Sequence, residues 1–492
     1  MTRKSYMRRL ICSKMLTKGL SLFMIFLIIT GALAGCGGKS SSYGVSPENP
    51  AKLTFWLSGS DRRNDAFVTM VDEFNTTLGT EKGIQIETVT YSSDNKLSKA
   101  YKELLKAKEN TDLPNMIAVS ESSDLLYDEF ISFADLNGLI EKDTRDMIFE
   151  NLITAGTYGK DSELRLLPIV KDTTVFAVNL DRWNSFKTKE DHHLNELGTW
   201  EGLNSVGSNF FKEMDGLSLY GIDDVSEYVF VGSRQLGMSF LTMEDRKPVI
   251  RTEGGVMRTL WDNYYTASLH GANYFMKSDR LTDMNEGNIT IASMKSSETA
   301  ALSDFNATEG DAATSGDALL KGEYQIIPYP QFKGQDKICP VDDTGIAVIK
   351  RDETSDKACA IFLEWILEEE NNMKLACLSG SLPSNKNAAT TQYFEEYHNK
   401  NSYGMTDMEV GTMRIILEMA EEADVYTAPM CDIYPELKTY VGKSLAAETI
   451  NDRNAVDDST YLGIKRYDAV LDYSTDEHFT GWLNEFKNGL PK

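Results

Sequence analysis

The sequence has few of the residues and motifs that most often carry catalysis. Only five of its 492 residues are histidine, and it contains no HExxH, GxSxG or GxGxxG motif and no EF-hand loop. Each of these motifs holds a metal ligand, a nucleophile or a phosphate-binding backbone at a fixed spacing. His192 and His193 lie side by side in a polar segment, a pattern typical of surface residues. The sequence therefore predicts no catalytic residue, no metal site and no cofactor.

Basic residues are scarce relative to acidic ones. The chain has 50 Lys and Arg against 75 Asp and Glu, which gives a formal net charge of −25 at pH 7. Nucleic-acid binding needs a basic face that neutralises phosphates. This composition therefore excludes nucleic acid as an expected partner and favours a well-solvated, self-repelling surface.

Cysteine is also rare, and four of the six cysteines lie in the second half of the chain. Their spacing matches no disulfide framework and no zinc pattern, so the sequence leaves their pairing open. Cys359 falls on a predicted helix, which favours a place in the core. The four are Cys339, Cys359, Cys377 and Cys431.

The N-terminus has the layout of an export signal. Residues 1–18 carry six basic residues and no acid, and a short apolar run follows at residues 20–34. This run is shorter than the roughly 20 residues that a membrane-spanning helix needs. The tetrapeptide LAGC that ends at Cys36 resembles the bacterial lipobox, in which the cysteine is acylated and becomes the first mature residue. We expect residues 1–35 to be a signal peptide, Cys36 to be lipidated and residues 36–50 to form a flexible linker.

The mature sequence alternates strand-like and helix-like segments. The run KLTFWLSGS at residues 52–60 is typical of a strand, and Phe67, Met70, Val71 and Phe74 then follow at helical spacing. Similar alternation continues along the chain and favours an α/β fold with parallel strands. The length exceeds what one ordinary domain holds, so two or more lobes are expected. Later strands are predicted at residues 173–180, 288–294, 324–330 and 344–350, and a clear amphipathic helix at residues 356–370.

Several segments, in the same order along the chain, resemble the extracellular solute-binding proteins of sugar-type ABC importers, the group that includes maltose-binding protein. KLTFWLSGS with FVTMVDEFN resembles the opening strand and first helix of that family, and LPNMIAVSES resembles its next strand and ligand loop. Residues 164–183 resemble its crossover into the second lobe, and residues 375–389 resemble a segment of its tail.

The resemblance implies a two-lobed periplasmic-binding-protein fold of type II. Each lobe would hold a mixed or parallel sheet flanked by helices, and the lobes would close on a ligand about hinge crossovers. We expect residues 51–170 plus 325–372 to form lobe 1 and residues 171–324 plus 373–492 to form lobe 2. The implied protein is a monomeric receptor on the extracellular face of a bacterial, Gram-positive membrane, which passes a carbohydrate to ABC permease subunits.

Ligand residues are expected in the loops that follow strands, because clefts in α/β sheets form at the carboxyl ends of strands. The resemblance places an acidic sugar contact at the crossover, at Asp172, and a first-lobe ligand loop at Ser120 and Glu121. Aromatic rings cover apolar sugar faces, while hydroxyls and carboxylates bind sugar hydroxyls. The remaining candidates are Ser58, Gly59 and Ser60 after the first strand, Lys295 and Ser296 after a second-lobe strand, and the rings of Tyr228, Trp261 and Tyr434.

Two other functions stay open at this point. A surface lipoprotein that hydrolyses glycans needs only two carboxylates at a suitable separation, and the chain has many acids. A receptor that presents its ligand to a membrane sensor would share every feature above with an import receptor. The identity of the solute also stays open.

Replacing the expected lipidation site tests the membrane tether. We expect Cys36→Ser to move the protein from the membrane fraction to the soluble fraction without loss of ligand binding, because the acyl chains and not the folded lobes hold it to the membrane. Fractionation with fatty-acid labelling measures this. A variant that stays in the membrane fraction would contradict the assignment.

Overall fold

A computed structural model of the chain describes residues 45–59, 61–107, 112–159, 162–187, 191–275, 279–302, 323–401 and 403–492. The expected signal peptide, the lipidation site Cys36, most of the expected linker and the candidate Ser60 lie outside these residues. All contacts reported below lie within the unit Ser46–Lys492. No helix in the described ranges is long and apolar enough to cross a membrane.

The strands are short and spread over the whole described chain. In chain order they are β1 (Ala51–Ser58), β2 (Ile84–Tyr91), β3 (Met116–Ser120), β4 (Thr157–Tyr158), β5 (Glu163–Leu164), β6 (Val170–Lys171), β7 (Thr174–Asn179), β8 (Tyr220–Gly221), β9 (Leu241–Glu244), β10 (Lys247–Ile250), β11 (Ile291–Lys295), β12 (Tyr324–Ile327), β13 (Ile338–Pro340), β14 (Thr344–Val348), β15 (Leu382–Pro383) and β16 (Asp424–Tyr426).

Helices account for most of the remaining chain. The α-helices are α1 (Asp61–Thr76), α2 (Leu78–Lys82), α3 (Asp94–Ala107), α4 (Leu136–Leu139), α5 (Lys142–Asp146), α6 (Glu150–Ala155), α7 (Leu180–Lys187), α8 (Trp200–Glu213), α9 (Val225–Gln235), α10 (Gly254–Trp261), α11 (Ala267–Leu269), α12 (Arg280–Glu286), α13 (Glu353–Leu367), α14 (Glu369–Ser379), α15 (Thr391–His398), α16 (Asp407–Glu422), α17 (Tyr434–Tyr461), α18 (Arg466–Leu471) and α19 (Asp476–Gly489). Shorter 3₁₀ or π turns occupy Asp124–Tyr127, Leu194–Gly198, Asp262–Thr266 and Ser296–Leu302.

The first sheet has the order β14-β3-β1-β2 and is buried between helices on both faces. Strand β1 runs parallel to β2 and β3, and β14 runs antiparallel to β3. Neighbouring side chains point to opposite faces, so Phe55 packs against Phe67 of α1 and Phe362 of α13, whereas Trp56 packs against Tyr101 of α3. This arrangement explains the nearly continuous apolar sequence of β1 and β3.

The second sheet is mixed and has the order β12-β7-β11-β8. Strand β7 runs antiparallel to both of its neighbours, and β11 runs parallel to β8. Its central strand, Thr174–Asn179, is buried at every residue. The two sheets confirm the predicted α/β fold with two lobes. The exact lobe boundaries, with residues 325–372 in lobe 1 and 373–492 in lobe 2, stay a prediction. Strand β12, which begins at Tyr324, pairs within the second sheet, and α14 packs on α1 of the first lobe.

Chain segments that pass between the lobes are hydrogen-bonded side by side. Strand β6 pairs with β15, and β13 pairs with β16. The backbone N–H of Asp342 donates to the carbonyl of Asp172 at 2.8 Å, and the N–H of Val341 donates to the carbonyl of Tyr426 at 3.0 Å. These hydrogen-bonded crossing segments are called the hinge below.

The four cysteines of the second half of the chain are buried as free thiols. Burial raises the pKa of the Cys339 and Cys431 thiols to about 12, so both stay protonated at neutral pH. Cys359 lies on the buried face of α13, as the helical pattern predicts. No disulfide joins these four residues.

Candidate functional site

A cavity of about 120 Å³ lies beside the hinge, where the second sheet ends. Its walls come from the start of α9, the end of β11, the segments that cross the hinge and the start of α17. The lining residues are Asp224, Ser226, Glu227, Phe230, Val231, Lys295, Val341, Asp342, Asp343, Tyr426, Thr427, Ala428, Tyr434 and Lys438.

One wall of the cavity is the N-terminus of α9. Asp224 caps this helix, and its Oδ1 accepts hydrogen bonds from the N–H groups of Ser226 at 2.9 Å and Glu227 at 3.1 Å. Burial opposes ionisation of Asp224, but the charge of Lys438 and these hydrogen bonds outweigh burial and hold its pKa below the usual range. The cap therefore presents a fixed negative charge to the cavity.

The end of β11 supplies a paired ammonium group to the same wall. Lys295 is the last residue of β11 and lies opposite Thr174 of β7. Its Nζ contacts Glu227 Oε2 and Thr174 Oγ1, both at 2.7 Å. Burial lowers the pKa of Lys295, but the Glu227 carboxylate outweighs burial and leaves the pKa raised, so the ammonium stays charged.

The opposite wall carries a second acid–base pair. Lys438 Nζ on α17 contacts Asp343 Oδ2 at 3.1 Å and lies over the ring of Tyr434, 5.9 Å from its centroid. Burial alone would lower the pKa of Lys438, but Asp343 and Asp224 together raise it. The cavity thus holds paired charges on both walls and an aromatic face beside one of them.

A buried ion cluster joins the cavity to the first lobe. Arg63 of α1 donates from Nη2 to Asp172 at 2.7 Å and to Asp342 at 2.6 Å. Burial raises the pKa of the Asp342 carboxyl, but Arg63 outweighs burial and keeps that pKa below its ordinary value. Asp172 Oδ2 also accepts from Ser297 Oγ, and Asp172 Oδ1 accepts from Ser381 Oγ, each at 2.9 Å.

Glu121 is the most enclosed acid beside this cluster. It follows β3, has an exposed fraction of 1%, and its N–H donates to the carbonyl of Asp343 at 2.7 Å. Its Oε2 has no hydrogen-bond partner among the described residues. Burial raises the pKa of Glu121 well above its usual value, although Lys171 acts in the opposite direction.

The structure brings some of the predicted ligand residues together at the hinge and places others elsewhere. Lys295 and Tyr434 line the cavity, while Glu121, Asp172 and Ser296 lie one layer behind it. The backbone N–H of Thr173 donates to Ser296 Oγ at 3.2 Å, which ties the end of β11 to the crossover.

The serines that end β1 and β3 donate hydrogen bonds to Asp94. Ser120 donates to Asp94 Oδ2 from its N–H at 2.9 Å and from its hydroxyl at 2.8 Å, and the Ser58 hydroxyl also donates to Asp94. Gly59 has a φ of +141°, a backbone conformation that favours glycine. These residues lie at the cleft edge of the first sheet but do not line the 120 Å³ cavity.

The other two aromatic candidates lie in the packing of the second lobe. The Tyr228 hydroxyl donates to the Leu260 carbonyl at 2.9 Å, and the Tyr228 ring packs against Trp200. The Trp261 ring stacks on Tyr265 with centroids 3.8 Å apart. Both candidate rings are almost fully buried and neither lines the cavity.

Several charged residues of the cavity were not among the sequence candidates. The pair Asp224 and Glu227 has the D-x-x-E spacing of a helix start directly after a strand, which is a usable signal. Asp342 and Asp343 directly precede β14. Because β14 runs antiparallel to β3, its start lies at the edge of the sheet where β3 ends, so residues before β14 lie near residues that follow β3. Lys438 has no comparable local signal, because only the packing of α17 on α9 brings it to the cavity.

The chain has a two-lobed α/β fold with a polar cavity beside the segments that cross between the lobes. Residues 69–401 match the family model described as bacterial extracellular solute-binding protein, and the chain belongs to this family. No curated protein matches the sequence.

Solved structures of distant sequence share the fold. The cyclic α-maltosyl-1,6-maltose binding protein from Arthrobacter globiformis is 19% identical, with a TM-score of 0.64 over 89% of this chain and 100% of that chain. UgpB from Mycobacterium tuberculosis, solved with glycerophosphocholine, is 13% identical, with a TM-score of 0.60 over 89% and 98%. The ABC substrate-binding protein Lmo0181 from Listeria monocytogenes, solved with cycloalternan, is 13% identical, with a TM-score of 0.59 over 89% and 98%.

Neutralising Glu121 tests the electrostatics of the site. Because the folded pKa is raised, Glu121 stabilises the fold most when protonated, and that stability is lost as pH rises above about 4.5. We expect Glu121→Gln to match the wild type near pH 4 and to be more stable at pH 7, by at least about 1 kcal/mol, since one pKa unit corresponds to about 1.4 kcal/mol. Urea unfolding across this pH range measures the difference.

The exposed Glu129 provides a matched control for this pH series. Glu129→Gln should show no gain in stability that grows with pH, because its side chain is solvated in the folded and unfolded states alike. A constant difference between Glu121→Gln and wild type at all pH values would show that Glu121 ionises normally in the fold.

Proposed function

We propose that the protein captures a carbohydrate in the cleft at its hinge and delivers it to the permease of an ABC transporter. Membership of the extracellular solute-binding family supports this role. Four of the structural neighbours were solved as binding proteins for cyclic α-maltosyl-1,6-maltose, cycloalternan, acarbose or maltose. The proposal includes binding without turnover, as the family description implies.

The composition of the cavity wall is the observation that carries the proposal. It combines four carboxylates and two ammonium groups with the rings of Phe230, Tyr426 and Tyr434. Sugar hydroxyls both donate and accept hydrogen bonds, so they can bind carboxylates and ammonium groups in the same small space. The aromatic rings would cover the apolar C–H faces of a sugar ring.

The pairing of the charges favours binding of a neutral solute. Lys295 contacts Glu227, and Lys438 contacts Asp343, so these charges already balance one another without a ligand. The lining has four carboxylates against two ammonium groups, so the wall carries a surplus of negative charge. A neutral polyol adds no charge to this wall and can donate its hydroxyls to the carboxylates. An anionic solute would add to this surplus, and a buried charge without a partner is costly.

The size of the cavity requires the lobes to move during capture. Its 120 Å³ exceeds the roughly 10–15 Å³ that holds one water but falls below the roughly 300 Å³ of a small ligand pocket. An oligosaccharide therefore needs the hinge segments to open, as in other periplasmic binding proteins. We propose that the hydrogen-bonded crossings beside Asp172 are the axis of this motion.

The proposed location is the extracellular face of the cell membrane. A lipid on Cys36 and the linker of residues 36–50 would keep a monomeric receptor near its permease in a bacterium of the Gram-positive type. Two or more acyl chains hold a protein to a bilayer stably, whereas one chain holds it only marginally.

Replacing Lys438 tests the binding site. We expect Lys438→Met to weaken sugar affinity about tenfold or more, because a hydrogen bond from a charged group contributes roughly 1.5–3 kcal/mol. Thermal-shift screening against maltose, cyclic maltosyl-maltose, cycloalternan and acarbose identifies a bound sugar, and calorimetry measures its affinity for each variant.

Lys443→Met is the matched control, since Lys443 lies on the same helix but is exposed and away from the cavity. It should bind sugar as the wild type does. A flat response to every sugar would refute carbohydrate as the ligand. Release of shortened glycans during incubation would instead support a hydrolase.

A further inference from the structure

A second cluster of polar side chains lies far along α17 from the cavity. Glu448 and Asp452 stand four residues apart on one face of α17, and His478 lies in the first turn of α19. His478 Nε2 is 2.8 Å from Asp452 Oδ2 and 3.4 Å from Glu448 Oε1. One nitrogen and two carboxylate oxygens therefore converge on one point between two helices, with all three atoms within 4.8 Å of one another.

These separations fit the coordination of a small transition-metal ion. In a tetrahedral zinc site with bonds of about 2.0–2.2 Å, neighbouring ligand atoms lie roughly 3.3–3.5 Å apart. The distance between His478 and Glu448 already has this value. The shorter distance between His478 and Asp452 is that of a hydrogen bond, and an inserted ion would widen it by roughly 0.5 Å, within reach of a side-chain torsion.

The surrounding side chains hold two of the three ligands in position. The Tyr265 hydroxyl donates to Asp452 Oδ2 at 2.6 Å, as outer hydrogen bonds commonly do for metal-binding carboxylates. The His478 ring lies among the rings of Trp261, Tyr265 and Tyr473. The N–H of His478 donates to the Thr475 hydroxyl at 3.1 Å, which anchors the start of α19.

Solvent reaches the cluster through a groove between α17 and α19. Glu448 lines this open groove together with Asn451, Trp482 and Glu485, and the groove has a volume of about 660 Å³. The side chains of Glu448 and His478 are 33% and 27% exposed. An ion can enter from the groove, and water can complete its coordination.

We propose that Glu448, Asp452 and His478 form a site for a divalent transition-metal ion, with Zn²⁺ as the best match. The mixed nitrogen and oxygen ligands suit zinc, whereas Ca²⁺ takes roughly six to eight oxygens and Mg²⁺ prefers an octahedron of oxygens. Two carboxylates and a neutral imidazole carry two negative charges, which a divalent cation balances.

The bound ion fixes the C-terminal helix to the body of the second lobe. Helix α19 packs on α17 and α10 through Phe479, Trp482 and Phe486, and the metal adds a direct bond between the two chain segments at one end of this contact. Because α17 also carries Tyr434 and Lys438, the ion stabilises the helix that forms one wall of the ligand cavity.

The test uses the full chain without an affinity tag, purified in mild detergent and stripped of metal with a chelator. Calorimetric titration with Zn²⁺ should show one site, and Zn²⁺ should raise the melting temperature, because an ion that binds only the folded state stabilises it by mass action. Co²⁺ should give the visible absorption bands of a four-coordinate site with nitrogen and oxygen ligands.

Three variants separate this site from adventitious binding. His478→Gln and the more exposed Glu448→Gln should each weaken Zn²⁺ binding by at least about tenfold and abolish the melting shift. His192→Gln is the matched control, since His192 contacts one acid within the described ranges, Glu196, at 3.2 Å. It should keep full Zn²⁺ affinity. Unchanged Zn²⁺ binding in both cluster variants, or no Zn²⁺ binding by the wild type, would overturn the proposal.

Discussion

The charge of Arg63 is the constraint on which the arrangement of the hinge depends. A buried charge without partners costs several kcal/mol, so the guanidinium must keep its carboxylates. Those carboxylates, Asp172 and Asp342, belong to two chain segments that cross between the lobes, and Asp172 is also held by Ser297 and Ser381. One residue of the first lobe thereby sets the position of both crossings and of the cavity wall that follows Asp342.

Charge pairing continues from this cluster into the cavity. Asp343 follows Asp342 and pairs with Lys438, and on the other wall Glu227 pairs with Lys295. Helix α17 extends this organisation, because its start lines the cavity and its middle carries Glu448 and Asp452. The proposed sugar site and the proposed metal site therefore share one 28-residue helix, whose position the second lobe and the C-terminal helix determine together.

Local sequence patterns predict the elements better than the site. Helical spacing locates Phe67 and Phe74 on the buried face of α1, and the rule that ligands follow strands places Lys295 at the cavity. The same rule misses Asp343, because β14 runs antiparallel and starts at the cleft. No local sequence pattern separates Tyr434 at the cavity from Tyr228 and Trp261 in the core. All three are large aromatic residues that become buried, and only tertiary packing decides which of them reaches the cavity. The metal-binding cluster is invisible in sequence because tertiary packing brings His478 to α17.

In the proposed function, the two lobes close on a carbohydrate about the hinge beside Arg63. Small-angle X-ray scattering measures this motion directly. The full chain is measured in a detergent whose electron density matches that of the buffer, with and without a sugar that binds in calorimetry. We expect closure to give a smaller radius of gyration when the sugar saturates the protein, because the solute joins the two walls of the cleft. An unchanged radius of gyration at saturating sugar would contradict it.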